Sequence, residues 1–177
     1  LGLKGLHEAL QARFSVLTRG VRTAAERHRT LHAALDWSHA LLNADEQRLL
    51  RQLAVFSGGF TLDLALALAA RADPSAERWA VVDTLAALVD RSLVAVDAGA
   101  DALAPRYRLL ETVRAYALER LQAAGDHERL RRGHAEVLLA LFERAAAADA
   151  ADAARNAALA EHDNVREAAA WARLHAP

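Results

Sequence analysis

The chain has 177 residues, 54% hydrophobic but only 5% aromatic, with no cysteine and a formal net charge of −1 from 22 basic and 23 acidic side chains. The excess of alanine and leucine over β-branched and aromatic residues argues against an all-β fold. The missing cysteines exclude a disulfide scaffold, a thiolate zinc site and a cysteine nucleophile. Balanced charge gives no overall pull toward nucleic acid or anionic membrane, and the high apolar content argues against disorder.

No run approaches the ~18 uninterrupted apolar residues of a membrane-spanning helix. Leu1-Gly2-Leu3-Lys4 lacks the apolar core of a signal peptide. With no methionine to initiate it, the chain is expected to be a piece of a longer cytoplasmic polypeptide. Residues 1–35 carry six basic and two acidic side chains, whereas 36–101 carry five and ten. A basic start therefore precedes an acidic middle.

Leu6, Leu10 and Phe14 lie one turn apart and predict a short first helix. Arg19-Gly20-Val21-Arg22-Thr23 reads as a loop, and Thr30 as the cap of a helix whose apolar face runs from Leu31 to Leu42. Trp37 is expected to be a buried anchor of that helix. Asn43, with Glu46 three residues on, is a capping-box signature for the next helix. Ser57-Gly58-Gly59-Phe60-Thr61 breaks the helical pattern into a turn and short strand, and a further helix covers about Leu62 to Ala70. Pro74-Ser75 opens another, through Val89. Leu93–Val96 and Tyr107–Leu110 then predict a hairpin across a loop with Gly99 and Pro105. Helices resume over Glu111–Ala124, ended by Gly125, and over His127–Ala148, while Asn164 with Glu167 predicts the cap of a last helix through Trp171. The expected fold is mainly α: a winged-helix domain with a short β-hairpin, followed by a helical hairpin that starts a helical-repeat array.

No Gly-rich phosphate loop is present, and Lys4 is the sole lysine, so a P-loop cannot form within these residues. His28, His32, Asp36 and His39 fall on one helix face at metal-ligand spacing, although a solvated polar face is the plainer reading. Glu161-His162-Asp163-Asn164 suits capping better than catalysis. In the helix placed to read DNA, three acids outnumber two arginines over 77–91. Phosphate contacts supply most of the affinity for DNA, so direct DNA binding is disfavoured.

Five stretches in order resemble the winged-helix region of bacterial transcriptional regulators with an NB-ARC-type ATPase, members of the signal-transduction ATPases with numerous domains (STAND). They are the segment from Arg27 to Leu42, Leu53–Thr61, Leu88–Val94, Tyr107–Ala117 and Glu161–Arg166. The resemblance implies three parts: 1–26 as the last helix of a small helical domain plus linker, 27–124 as the winged helix, and 125–177 as the start of repeats. It implies a non-catalytic, signal-transmitting segment with no cofactor of its own. ATP or ADP with Mg²⁺ would sit in an upstream nucleotide-binding domain of the same polypeptide, the expected partner, with self-association left open. In plant and animal relatives, a Met-His-Asp tripeptide after the second hairpin strand sets a histidine on the ADP β-phosphate. Leu110 stands at that position, so the nucleotide-contact candidates become Arg27 and His28 in the linker, with Leu110 limited to apolar contact in the core or at a domain interface. The alternative function is a free-standing winged-helix DNA-binding protein.

Overall fold

The computed structural model describes residues 21–97, 105–147, 156 and 158–175, with side chains described apart from those of 21–29 and 147. The chain divides into two compact units, Leu1–Leu41 and Leu42–Pro177. The first contains helix α1 (Val21–Ala40). Val21, Arg22 and Thr23 are helical, not loop, and Thr30 lies in the helix interior instead of capping it. From Val21 to Ala40 the sequence holds no Gly or Pro, so nothing local stops the helix. The expected helix at Leu6–Phe14 lies outside the described residues.

Trp37 is 68% exposed, which overturns its assignment as a buried anchor. Leu31 and Leu41 are exposed as well, so the apolar spacing along α1 does not mark a stripe sunk into a core. Trp37→Ala is accordingly expected to shift stability by no more than ~0.5 kcal/mol, as at other surface positions. Urea denaturation checks this, and a loss of several kcal/mol would restore the buried assignment.

The second unit opens with helix α2 (Ala44–Leu53), held by the capping box the sequence predicts. Asn43 Oδ1 accepts from the Glu46 amide at 2.9 Å, and Glu46 Oε2 accepts from the Asn43 amide at 2.8 Å. Strand β1 (Phe60–Thr61) leads into helix α3 (Leu62–Ala72), whose first turn is capped by Thr61 Oγ1. Helix α4 (Arg78–Asp90) starts later than Pro74, because Asp73 folds 73–75 into a side-chain-closed turn through the Ser75 amide and hydroxyl. Strands β2 (Ala95–Asp97) and β3 (Arg106–Arg108) form the predicted hairpin, and β1 pairs with the far edge of β3. All pairing is antiparallel, with Phe60 opposite Tyr107 and Val96 also opposite Tyr107.

Helices α5 (Glu111–Ala123), α6 (His127–Ala147) and α7 (His162–His175) complete the unit. Gly125 adopts φ +75° between α5 and α6, the left-handed position a helix end favours. Leu50 and Leu53 of α2, Leu68 of α3, Leu88 of α4 and Leu121 of α5 are fully buried together with Phe60 and Val94. Phe60 stacks on Tyr107 and lies 5.0 Å from the Phe56 ring, joining the sheet to the helical core. The fold is a mainly helical winged helix. Helix α6 packs on α3 on one side and on α7 on the other, which builds the C-terminal helices onto the same unit.

Candidate functional site

Two features of the second unit bear on function: the outward surface of α4 and a polar junction under the hairpin. Helix α4 occupies the groove-reading position of a helix-turn-helix, with α3 before it and the hairpin after it. Trp79 is 75% exposed at its start, and Ala80, Asp83, Ala86 and Asp90 are exposed beyond it. Its two flanking cations face acids: Arg78 lies 3.7 Å from Asp63, and Arg91 lies 3.4 Å from the buried carboxylate of Glu46. A DNA-reading helix offers free cations to phosphate. This one offers an indole, carboxylates and a single loosely paired arginine, Arg78.

The polar junction ties the segment before β1, strand β3 and helices α5, α6 and α7 together. Asn164 is 1% exposed, and its carboxamide makes three hydrogen bonds. Oδ1 accepts from the Ser57 amide at 2.7 Å, while Nδ2 donates to Gly59 O at 2.8 Å and to Glu161 Oε2 at 2.6 Å. It is therefore not the cap of the last helix, as its spacing to Glu167 predicts, since α7 already begins at His162. Glu161, also 1% exposed, accepts both Nη1 and Nη2 of Arg106 from β3, at 2.5 and 3.2 Å. Such a forked guanidinium–carboxylate pair is directional and strong once water is excluded.

Two glycines make room for this approach. A Cβ on Gly58 would stand 2.7 Å from Asp163 Oδ2 of α7, and one on Gly59 would stand 3.0 Å from the Tyr107 carbonyl of β3. Both have positive φ, +78° and +111°, which L side chains rarely adopt. Beside them, Arg114 of α5 donates to Phe56 O at 2.7 Å, and Arg131 of α6 donates to Glu167 Oε1 of α7 at 2.6 Å. Burial raises the Glu167 carboxyl, but the Arg131 hydrogen bond and the Arg131 and Arg114 charges outweigh it and hold the group below its ordinary value. His134 is 0% exposed, with its ring edge-on to Phe56 and neither ring nitrogen hydrogen-bonded. Burial, then the Arg131 charge, push it down to about 4, so the ring is neutral at ordinary pH.

Of the residues singled out from sequence, Arg27 and His28 lie within α1, not in a linker loop, and their side chains are outside the described residues. Leu110 takes the N-cap position of α5 and is 47% exposed. It does not pack into the core. His32 Nδ1 and Asp36 Oδ2 meet at 3.1 Å on α1, but among the described residues no three His, Cys, Asp or Glu side chains converge as a metal group would require. Arg106, Arg114, Arg131 and His134 went unnoticed in the sequence. His134 had a legible signal: it shares the helical stripe of Leu130 and Val137, an apolar face where a polar ring is out of place.

Residues 42–122 match the winged helix-turn-helix domain family. The chain is 44% identical over 162 residues to Mycobacterium tuberculosis and Mycobacterium bovis proteins named as HTH-type transcriptional regulators, covering 90% of this chain and 18% of theirs. An uncharacterized Mycobacterium tuberculosis protein is 41% identical over 117 residues, covering 66% of this chain and 29% of its own length. The chain thus spans less than a third of these relatives. No solved structure gives a significant match. The chain carries a winged helix-turn-helix domain and is homologous to proteins named as transcriptional regulators. No described helix is long and apolar enough to cross a membrane.

Proposed function

We propose that this chain is a non-catalytic, signal-transmitting segment of a larger cytoplasmic transcriptional regulator, with the winged helix used as a docking module. The observation that carries this is the outward surface of α4, where exposed Trp79 stands among the carboxylates of Asp83 and Asp90, with Arg91 held by buried Glu46 and Arg78 only loosely by Asp63. Large exposed aromatics favour protein contacts, and a surface with more carboxylates than available cations is a poor phosphate binder. The STAND, NB-ARC-like context belongs to the same proposal, as does the division at 1–26, 27–124 and 125–177. An upstream ATPase domain would bind ATP or ADP, and the junction at Asn164 would carry its movement from the winged helix into α6 and α7.

The second reading is DNA binding, which the match to a winged helix-turn-helix family favours. Fluorescence anisotropy with a labelled duplex at low salt separates the two. Docking predicts no salt-sensitive binding by the 177-residue chain, whereas tight binding that falls steeply with added salt would establish the DNA reader. The nucleotide contact is tested in a protein that retains the upstream region. There Arg27→Ala is expected to weaken ADP by about 1–3 kcal/mol, the cost of stranding a charge-assisted partner. Unchanged ADP affinity in both Arg27→Ala and His28→Ala would remove the contact from this segment.

A further inference from the structure

Two clefts meet at the C-terminal half of α2, on either side of Arg48, Gln52 and Asp73. The polar one, about 280 Å³, runs toward the start of α6 and is edged by Arg48, Arg51 and Arg129 against Asp73 and Asp126. The other, about 150 Å³, runs toward α4 and is walled by Leu49, Ala69, Ala76, Ala80 and Val81, with acids at its rim. Both open onto Gln52. The residue is 7% exposed, and its side chain makes no hydrogen bond to any described residue.

The Gln52 amide nitrogen and oxygen are not sealed in the interior, so they open into the clefts without a partner among the described residues. Its donor and acceptor both remain free for a ligand. Next along the helix, Arg51 is half-buried and has no counter-ion among the described residues. The neighbouring cations are engaged: Arg129 holds Asp126 at 2.9 Å and the Ala72 carbonyl at 2.7 Å. Arg48 is held only loosely, 3.5 Å from Asp45 and 3.6 Å from Asp73. The polar cleft therefore has one unmatched positive charge, on Arg51, beside one unsatisfied carboxamide, and an apolar cleft continues from them.

We propose that these clefts form a binding site for a small amphiphilic monocarboxylate. The carboxylate meets the Arg51 fork, Gln52 reads an oxygen of the same head, and the apolar body lies along the alanine wall toward α4. A single charge suits the site better than a phosphate, because Asp73 and Asp126 in the same cleft repel a second one. The loose Arg48–Asp73 pair between the clefts is exposed and costs little to part. Occupancy would join α2 to the first turns of α4 and α6, placing an effector contact beside the surface assigned to docking.

The test is a nuclear magnetic resonance titration of the 177-residue chain, read at the Gln52 side-chain amide. Hexanoate is the probe, with inorganic phosphate as an anion lacking an apolar body and hexan-1-ol as a body lacking charge. Hexanoate is expected to move the Gln52 resonances saturably, and neither control to do so. Arg51→Ala should weaken hexanoate by about tenfold, the equivalent of one charge-assisted contact. Gln52→Leu, followed instead at the backbone amides of Leu49 and Leu130, should weaken hexanoate and narrow its preference over hexan-1-ol. Arg51→Ala changes a partly exposed side chain and keeps the test decisive if Gln52→Leu fails to fold. No saturable shift, equal response to phosphate, or hexanoate affinity unchanged in Arg51→Ala would each overturn the proposal.

Discussion

Arg106→Leu is expected to cost about 3–5 kcal/mol of folding stability. Its guanidinium forks onto Glu161, whose carboxylate is 1% exposed. Removing the arginine leaves that carboxylate buried with the Asn164 amide group as its one remaining side-chain donor among the described residues. Unpaired buried charge is far more damaging than a lost surface pair, which is worth ~0–1 kcal/mol. The double variant Arg106→Leu with Glu161→Leu should recover much of the loss, because it removes the stranded charge together with its partner. Urea denaturation of the parent, Arg106→Leu, Glu161→Leu and the double variant closes the cycle. A single-variant loss under ~1 kcal/mol would mean that water reaches the carboxylate and that the junction does not hold β3 to α7.

That junction is also where the sequence was least readable. The Asn43–Glu46 and Asn164–Glu167 spacings are the same signature, yet only the first is a capping box. A cap is a local device, and its pattern is visible within four residues. Asn164 instead bonds Ser57 and Gly59 from more than a hundred residues away, and no local pattern carries that information. The hairpin, the strand after Gly58-Gly59 and the helix order were legible because each rests on nearby residues: a change from helical to alternating period, or a glycine pair. The exposed face of α1 has a related origin. Its apolar spacing fits a packed face, but spacing says where a stripe lies and not what covers it, and Trp37 and Leu41 are exposed. Leu110 was correctly placed at the strand–helix junction. Whether it was covered depended on side chains elsewhere in the fold.

His134 makes the chain acid-sensitive in a defined window. The folded state holds the ring neutral down to about pH 4, whereas the unfolded ring titrates near its ordinary 6.5. As the pH falls below 6.5, the unfolded chain takes up a proton that the folded chain refuses. Folding is then progressively disfavoured until the buried ring itself titrates near 4. At ~1.4 kcal/mol per pH unit, the loss across this window is about 3 kcal/mol. Glu167 acts in the same direction lower down: its carboxyl is held below 4.5 in the folded state, so its contribution is present above that value and fades beneath it. The Arg131 and Arg114 charges oppose a protonated His134, and the Glu167 charge that favours it is outweighed by them and by burial. His134→Leu removes the proton acceptor and two unbonded ring nitrogens while retaining apolar contact with Phe56. Its stability, measured by urea denaturation from pH 7 to pH 4, is expected to be nearly flat where the parent falls by about 3 kcal/mol. Equal slopes in the two proteins would show that the ring accepts its proton as readily folded as unfolded, and that the acid-sensitive group lies elsewhere.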